Sequence, residues 1–316
     1  MTVGLVVMAY GTPASPDDVE TYYTHVRRGR APDAELLADL RRRYDAIGGI
    51  SPLRQRTEAQ RSAIDTALSA MAPGRFTTAL GMKHAAPFIE DAVTDLIRQG
   101  VDAMVGLVLA PHYSAMSVGE YEARLAAAAA DGGLGSDAVG CLRSWHDLDA
   151  YIGFLAQAVR SAGATLAPDH RVVFTAHSLP ERILDAGDRY PDELAATARL
   201  VGDAAGLDDD RWDVAWQSAA RGKSEPWLGP DVLEVLEAEA AGAGRDMLVC
   251  PAGFVSDHLE VLYDLDIEAA TRARSRGLRF ARTAVPNDDE SVMTALAEAA
   301  VAVADAVESD RPMSAS

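Results

Sequence analysis

Short apolar runs alternate with longer amphipathic stretches along nearly the whole chain, and that rhythm restricts the fold more than any other feature. Runs of roughly 4–8 apolar residues read as strands, and the stretches between them read as helices; strand–helix alternation is the mark of a parallel α/β sheet. The runs predicted as strands are Gly4–Tyr10, Phe76–Met82, Ala103–Ala110, Ala138–Leu142, Arg171–Ala176, Val214–Ser218, Met247–Cys250 and Leu278–Thr283. Helix signals fill the gaps. Ser15, Pro16, Asp17 and Asp18 supply an N-cap, a first-turn proline and first-turn acids. Gly48 and Gly49 stop a helix that starts near Pro32, and Pro286 precedes a capped final helix over about Asp288–Glu308. The polar tail Asp310–Ser316 is expected to fray.

The strands fall into two groups of four with a boundary near Ser144–Asp149, and 316 residues are enough for two such units. The formal net charge of −19 leaves no broad basic field for nucleic acid, so any anionic ligand must be met by local arginines. No stretch approaches the ~20 apolar residues of a membrane span, and Gly4–Tyr10 lacks the basic leader of a secretion signal. Two cysteines, Cys141 and Cys250, fit a reducing cytoplasm and are too few for a four-cysteine site. Neither G-x-G-x-x-G nor G-x-x-x-x-G-K-[ST] occurs, so a nucleotide cofactor has no motif behind it.

Two runs place ionisable groups just past the carboxyl end of a strand, where open α/β sheets build their sites. The first is F-T-A-H-S-L-P-E, Phe174–Glu181, which carries His177. The second is C-P-A-G-F-V-S-D-H-L-E-V-L-Y-D-L-D, Cys250–Asp266. Glu260, Asp264 and Glu268 stand at i, i+4 and i+8, one acidic line on a helix. Three such carboxylates in isolation would be a solvated face. Here Leu259, Val261, Leu262, Leu265 and Ile267 flank them, so the line is expected to be partly buried and to need cations or protons. An imidazole with hard oxygen ligands suits a divalent ion in transit. His258, two residues from Glu260, points elsewhere on such a helix and reads as structural.

Tyr10 ends the first strand, a position where ligands sit, although a tyrosine there more often packs. Arg27, Arg28, Arg30, Arg41, Arg42, Arg43 and Arg54 gather beside Tyr44 and Ser51; within so acidic a chain this points to a carboxylate or phosphate contact. Gly81–Phe88, Pro111–Ser117, Trp216–Ser218 and Pro226–Pro230 also follow strands, and their aromatics either pack or line a pocket for a flat apolar ligand.

These residues resemble the ferrochelatase family, in its soluble monomeric bacterial branch that makes haem through coproporphyrin. The matching segments are M-A-Y-G-T-P (Met8–Pro13), Y-Y-T-H-V-R-R-G (Tyr22–Gly29), R-Y-D-A-I-G-G-I-S-P-L (Arg43–Leu53) and G-M-K-H-A-A-P-F-I-E-D-A (Gly81–Ala92). T-A-H-S-L-P-E (Thr175–Glu181), W-Q-S (Trp216–Ser218), P-W-L-G-P-D (Pro226–Asp231) and S-D-H-L-E-V-L-Y-D (Ser256–Asp264) continue the match in order. The resemblance implies two Rossmann-like, chelatase-type domains, each a four-stranded parallel sheet flanked by helices, with the porphyrin cleft between them. The expected units are 1–146, with the final helix 288–309 packed on it, and 147–287, which carries the metal site.

The activity so implied is insertion of ferrous iron, as substrate, into coproporphyrin III without ATP. His177 and Glu260 would be catalytic and bind the metal, with Asp264 and Glu268 continuing the acidic path. Tyr10, Arg27, Arg43, Tyr44, Ser51, Tyr121 and Trp227 match positions that contact the porphyrin. Some family members hold a two-iron, two-sulfur cluster through cysteines near the C-terminus. This chain has no cysteine after Cys250, so no cluster is expected. A monomer in the cytoplasm follows, whose partners beyond coproporphyrin III and iron would be downstream haem-pathway enzymes, with no nucleic acid or membrane. Alternatives are the same chemistry on protoporphyrin IX, a cobalt or nickel chelatase, and a porphyrin carrier without turnover.

Overall fold

A computed structural model describes residues 1–219 and 225–310. The tail expectation therefore lies, from residue 311 onward, outside the described residues. Among the described residues eight strands occur: β1 Val3–Ala9, β2 Phe76–Met82, β3 Ala103–Val108, β4 Val139–Leu142, β5 Arg171–His177, β6 Trp212–Gln217, β7 Met247–Cys250 and β8 Phe280–Arg282. They form two four-stranded sheets, ordered β2-β1-β3-β4 and β6-β5-β7-β8, and every pairing is parallel. All eight predicted strands are present, with shifted ends. The third stops at Val108, just short of Pro111, and the last shrinks to three residues at a sheet edge. The fifth extends one residue further than predicted, so His177 is the last residue of β5 and pairs in register with Gln217.

The helices are α1 Val19–Val26, α2 Ala34–Ala46, α3 Leu53–Met71, α4 Ile89–Arg98, α5 Val118–Asp131 and α6 Asp149–Gly163. The second half adds α7 Arg182–Asp185, α8 Tyr190–Ala205, α9 Val232–Ala241, α10 Leu259–Leu262, α11 Ala270–Ser275 and α12 Glu290–Asp310. All seven residues of β1 are buried, as are the six of β3, because helices cover both faces of a parallel sheet. One apolar core runs from Val3, Leu5 and Val7 through Ile64 and Leu68 of α3 and Leu155 of α6 to Val172 and Phe174 of β5, with Leu296 and Ala300 of α12. Helix α12 packs on α3, β3, β4 and α6, so the chain's last helix returns to the first sheet. Among the described residues no helix is long and apolar enough to cross a membrane.

In each sheet the strand order reverses beside a central strand, between β1 and β3 and between β5 and β7. Side chains at the carboxyl ends there face a crevice rather than a neighbouring helix. Tyr10 follows β1 and His177 ends β5, so both sequence-selected residues sit at switch points.

One element differs in kind from the expectation. Residues 259–275 do not form a continuous α-helix. Helix α10 is a single turn, Asp264–Ala269 is π-helical, and regular helix resumes only in α11. The Glu268 amide bonds the Tyr263 carbonyl, a spacing of five residues at 2.9 Å. A π-turn widens the helix and shifts the phase of every later side chain, so the acids do not stand in the straight line that an i, i+4, i+8 spacing implies.

Candidate functional site

The site is built around Glu260, the second residue of α10. His177 Nε2 lies 3.6 Å from Glu260 Oε1, and His258 Nε2 lies 3.8 Å from Oε2. Both rings have their other nitrogen engaged by a main-chain carbonyl, His177 Nδ1 with Ser178 O at 2.5 Å and His258 Nδ1 with Ser256 O at 3.0 Å. A carbonyl only accepts, so each Nδ1 carries a proton, and each ring turns its Nε2 toward the carboxylate. Burial works against ionisation of Glu260, but His177 and then His258 outweigh it and hold the carboxyl down at about 2. His258 therefore belongs to the site, contrary to its structural reading. It is the extended residue before α10, φ −155°, and so does not follow the helical spacing that pointed it away.

Asp264 is 9% exposed and behaves differently. Burial, followed by the charge of Glu260, pushes its carboxyl up to about 6, while Ser218 and Arg43 pull the other way. Ser218 Oγ donates to Asp264 Oδ2 at 2.6 Å, and Arg43 Nη1 lies 3.3 Å from Oδ1. Arg43 also bonds Asp39 at 3.0 Å and lies 4.9 Å over the Tyr263 ring. The arginine on α2 is thus turned to the acidic segment of the opposite sheet. Glu268 is half-buried at the next position of the π-turn and adds its field to both Asp264 and Arg43.

Tyr10, the residue after the fully buried β1, is 45% exposed. Its ring lies 4.6 Å from that of His84 (centroid to centroid), and His84 Nδ1 is 3.0 Å from His25 Nδ1. Burial and then the charge of Lys83 drive the His84 pKa down to about 3, so that ring is neutral. Burial and next the Glu260 carboxylate push the Tyr10 phenol above its ordinary range. Glu260 acts the same way on Tyr22 and Tyr44 of the first sheet's helices and on Tyr190 of α8, with Tyr44 raised to about 12 chiefly by burial. Phenols from both halves therefore lie within the field of one carboxylate.

The other predicted contact residues differ in exposure: Tyr44, Ser51 and Tyr121 are buried, Arg27 and Trp227 half-buried. Tyr44 is buried with its hydroxyl 3.5 Å from Thr12 Oγ1, and buried Ser51 accepts the Leu53 amide at the start of α3. Tyr121 is buried beneath Lys83, whose Nζ lies 5.1 Å over its ring and 2.5 Å from Glu120. Arg27 caps α1, 6.0 Å over Tyr23. Trp227 lies 6.5 Å from His177, ring to ring. Among the described residues no three His, Cys, Asp or Glu side chains group as a cage ready for a metal ion. What the geometry offers is an open pair, one imidazole Nε2 and one carboxylate, with further acids behind it. His258, Ser218 and Gln217 lie in segments that match the family, yet no residue pattern gives them a site role; in W-Q-S the polar pair makes the contacts.

The ferrochelatase family model matches residues 2–303. The chain belongs to the ferrochelatase family. It is 42% identical over 301 residues to the coproporphyrin III ferrochelatase of Geobacillus sp. (strain WCH70), covering 93% of this chain and 96% of the relative. It is 41% identical over 301 residues to that of Bacillus subtilis (strain 168), again covering 93% and 96%. Among solved structures, SirB from Bacillus subtilis with Fe3+ superposes with a TM-score of 0.59 at 10% identity, covering 98% of both chains. The sirohydrochlorin chelatase SirB with cobalt gives 0.58 at 11% identity and the same coverage. At that identity the structural likeness speaks for the fold, and it extends the ferrochelatase architecture of paired parallel sheets to a second group of chelatases.

Proposed function

We propose that this ferrochelatase inserts ferrous iron into coproporphyrin III, forming four iron–nitrogen bonds as two pyrrole N–H bonds break and their protons depart, with no nucleotide consumed. The observation that carries the reading is the His177–Glu260 pair. It presents an imidazole Nε2 and a carboxylate together, and the exposed phenol of Tyr10, from the other half of the chain, lies within the field of that carboxylate. The near-full-length similarity to coproporphyrin III ferrochelatases supports the choice of porphyrin.

The chain's own groups account for each requirement of the reaction. Glu260, ionised down to about pH 2, gives a hard oxygen to the entering ion, and His177 Nε2 gives a nitrogen ligand or takes a pyrrole proton. An open pair holds the ion weakly enough to hand it on. Asp264 and Glu268 extend the path by which cations reach, and protons leave, the pair. Tyr10 faces the ring from the other side, with Tyr44, Ser51, Tyr121, Trp227, Arg27 and Arg43 as wall residues. Arg43 serves the wall by fixing Asp264, and Arg27 is the arginine of the two left for a propionate. In this reading the walls are two units: residues 1–146 together with α12, and residues 147–287.

An anaerobic absorbance assay with coproporphyrin III and ferrous iron tests the proposal. The product spectrum should grow in with enzyme and not without it. Preferential metalation of protoporphyrin IX would overturn the substrate assignment, and porphyrin binding without any metalation would overturn the activity.

A further inference from the structure

Strand β6 ends at Gln217, and Ser218 after it sits at φ +59°, a region that residues bearing a Cβ seldom occupy. Such a backbone persists only where its surroundings over-determine it, and it concentrates at working sites. Here the surroundings are specific. The hydroxyl donates to Asp264 Oδ2 at 2.6 Å. Next to it, the buried Gln217 donates to Glu260 O at 3.1 Å and accepts from Thr175 Oγ1 at 2.8 Å. The Gln217 carbonyl accepts the Ser178 amide at 2.8 Å. Two consecutive residues thus grip the strand that bears His177 on one side and the segment that bears Glu260 and Asp264 on the other.

We infer that Ser218 is a positioning residue, whose hydroxyl, delivered by a left-handed backbone, holds the Asp264 carboxylate in place behind the His177–Glu260 pair. Two adjacent carboxylates repel; Arg43 reaches Oδ1 of Asp264, and Ser218 supplies the donor that orients Oδ2. Hydrogen bonds that orient metal ligands are typically worth 10–100-fold in metal affinity. The inference deepens the proposed function and rests on it for the identity of the cargo.

Zinc binding to the porphyrin-free protein, measured calorimetrically for wild type, Ser218→Gly, Ser218→Ala and His177→Ala, separates the possibilities. Glycine accepts φ +59° without strain, so a serine that only turned the chain would be replaced with no loss and some gain in Tm. The expected result is roughly 10–100-fold weaker zinc binding in both Ser218 variants. Ser218→Gly should match or exceed the wild-type Tm, Ser218→Ala should fall below it, and coproporphyrin III affinity by fluorescence should be unchanged. Loss of binding in His177→Ala marks the zinc as bound at this site, and its retention would overturn the inference. Wild-type zinc affinity in Ser218→Gly would overturn it too, as would an equal loss of porphyrin affinity. Because zinc binding is read without turnover, a protein that binds zinc but inserts no iron would sink the proposed function while the variants still decide the role of Ser218.

Discussion

His177 and Asp264 carry the chemistry that single side chains control. Replacing His177 by alanine removes the Nε2 lone pair and leaves both walls of the cleft standing. Turnover should fall roughly 10²–10⁴-fold while coproporphyrin III still binds, as stopped-flow metalation beside fluorescence titration would reveal. Asp264 adds a pH dependence. Its carboxyl rises from an ordinary 3.8 to about 6, through burial and then Glu260. Between those values the folded chain keeps a proton that the unfolded chain releases. Stability contributed by this group is therefore full below about pH 3.8, declines as pH rises through the window, and levels off above about 6. The ionised form able to pass a cation dominates only above that upper value, so the iron KM should climb as pH falls through it. In Asp264→Asn both the slope of Tm against pH in the window and the inflection in KM should vanish. A retained inflection would assign it to another group.

At the scale of elements, the end of β5 is held from behind. A Cβ on Gly253 would fall 2.4 Å from Ala176 Cβ and 2.7 Å from Ala176 Cα, contacts that only movement of the strand end could relieve. Ala176 directly precedes His177. Gly253→Ala should cost about 1–3 kcal/mol of stability by overpacking, and it should lower turnover more than porphyrin affinity. Wild-type kcat in that variant would mean the strand end is looser than its packing implies. The π-turn belongs to this scale as well: by widening the helix after Glu260 it gives Asp264 and Glu268 a spacing that a regular helix would not.

For the whole molecule, the two sheets are tied on both flanks of the cleft. Gln60 of α3 is fully buried, yet its amide group makes its contacts entirely to the second half: Val255 O at 3.0 Å, Asn287 O at 2.9 Å and Ser256 Oγ at 2.9 Å. On the other flank Glu193 of α8 accepts the Tyr113 amide and the Ser144 hydroxyl, and Asp188 accepts the Ser114 hydroxyl and the Ala115 amide. The Pro111–Ser117 run is therefore a tether as well as a strand exit. Gln60→Ala strands buried polar partners, each costing about 1–3 kcal/mol, so Tm should drop and the porphyrin KM should rise with the widened gap. A variant with lowered Tm and unaltered KM would separate the latch from the cleft.

Strand number, parallel direction and the switch-point residues Tyr10 and His177 were legible in the chain because apolar periodicity is a local property, and so is a polar residue placed after it. His258 escaped because its orientation depends on a backbone that is extended just before a helix begins. Ser218 escaped because φ +59° leaves no trace in the residue type. Arg43 looked like a ligand arginine by composition, and its pairing with Asp264 joins positions 221 residues apart. The sequence by itself determined the layers, the candidate acids and the imidazole. Only the tertiary structure decided which groups share a field, since burial and charge separation arise when distant segments close on one another.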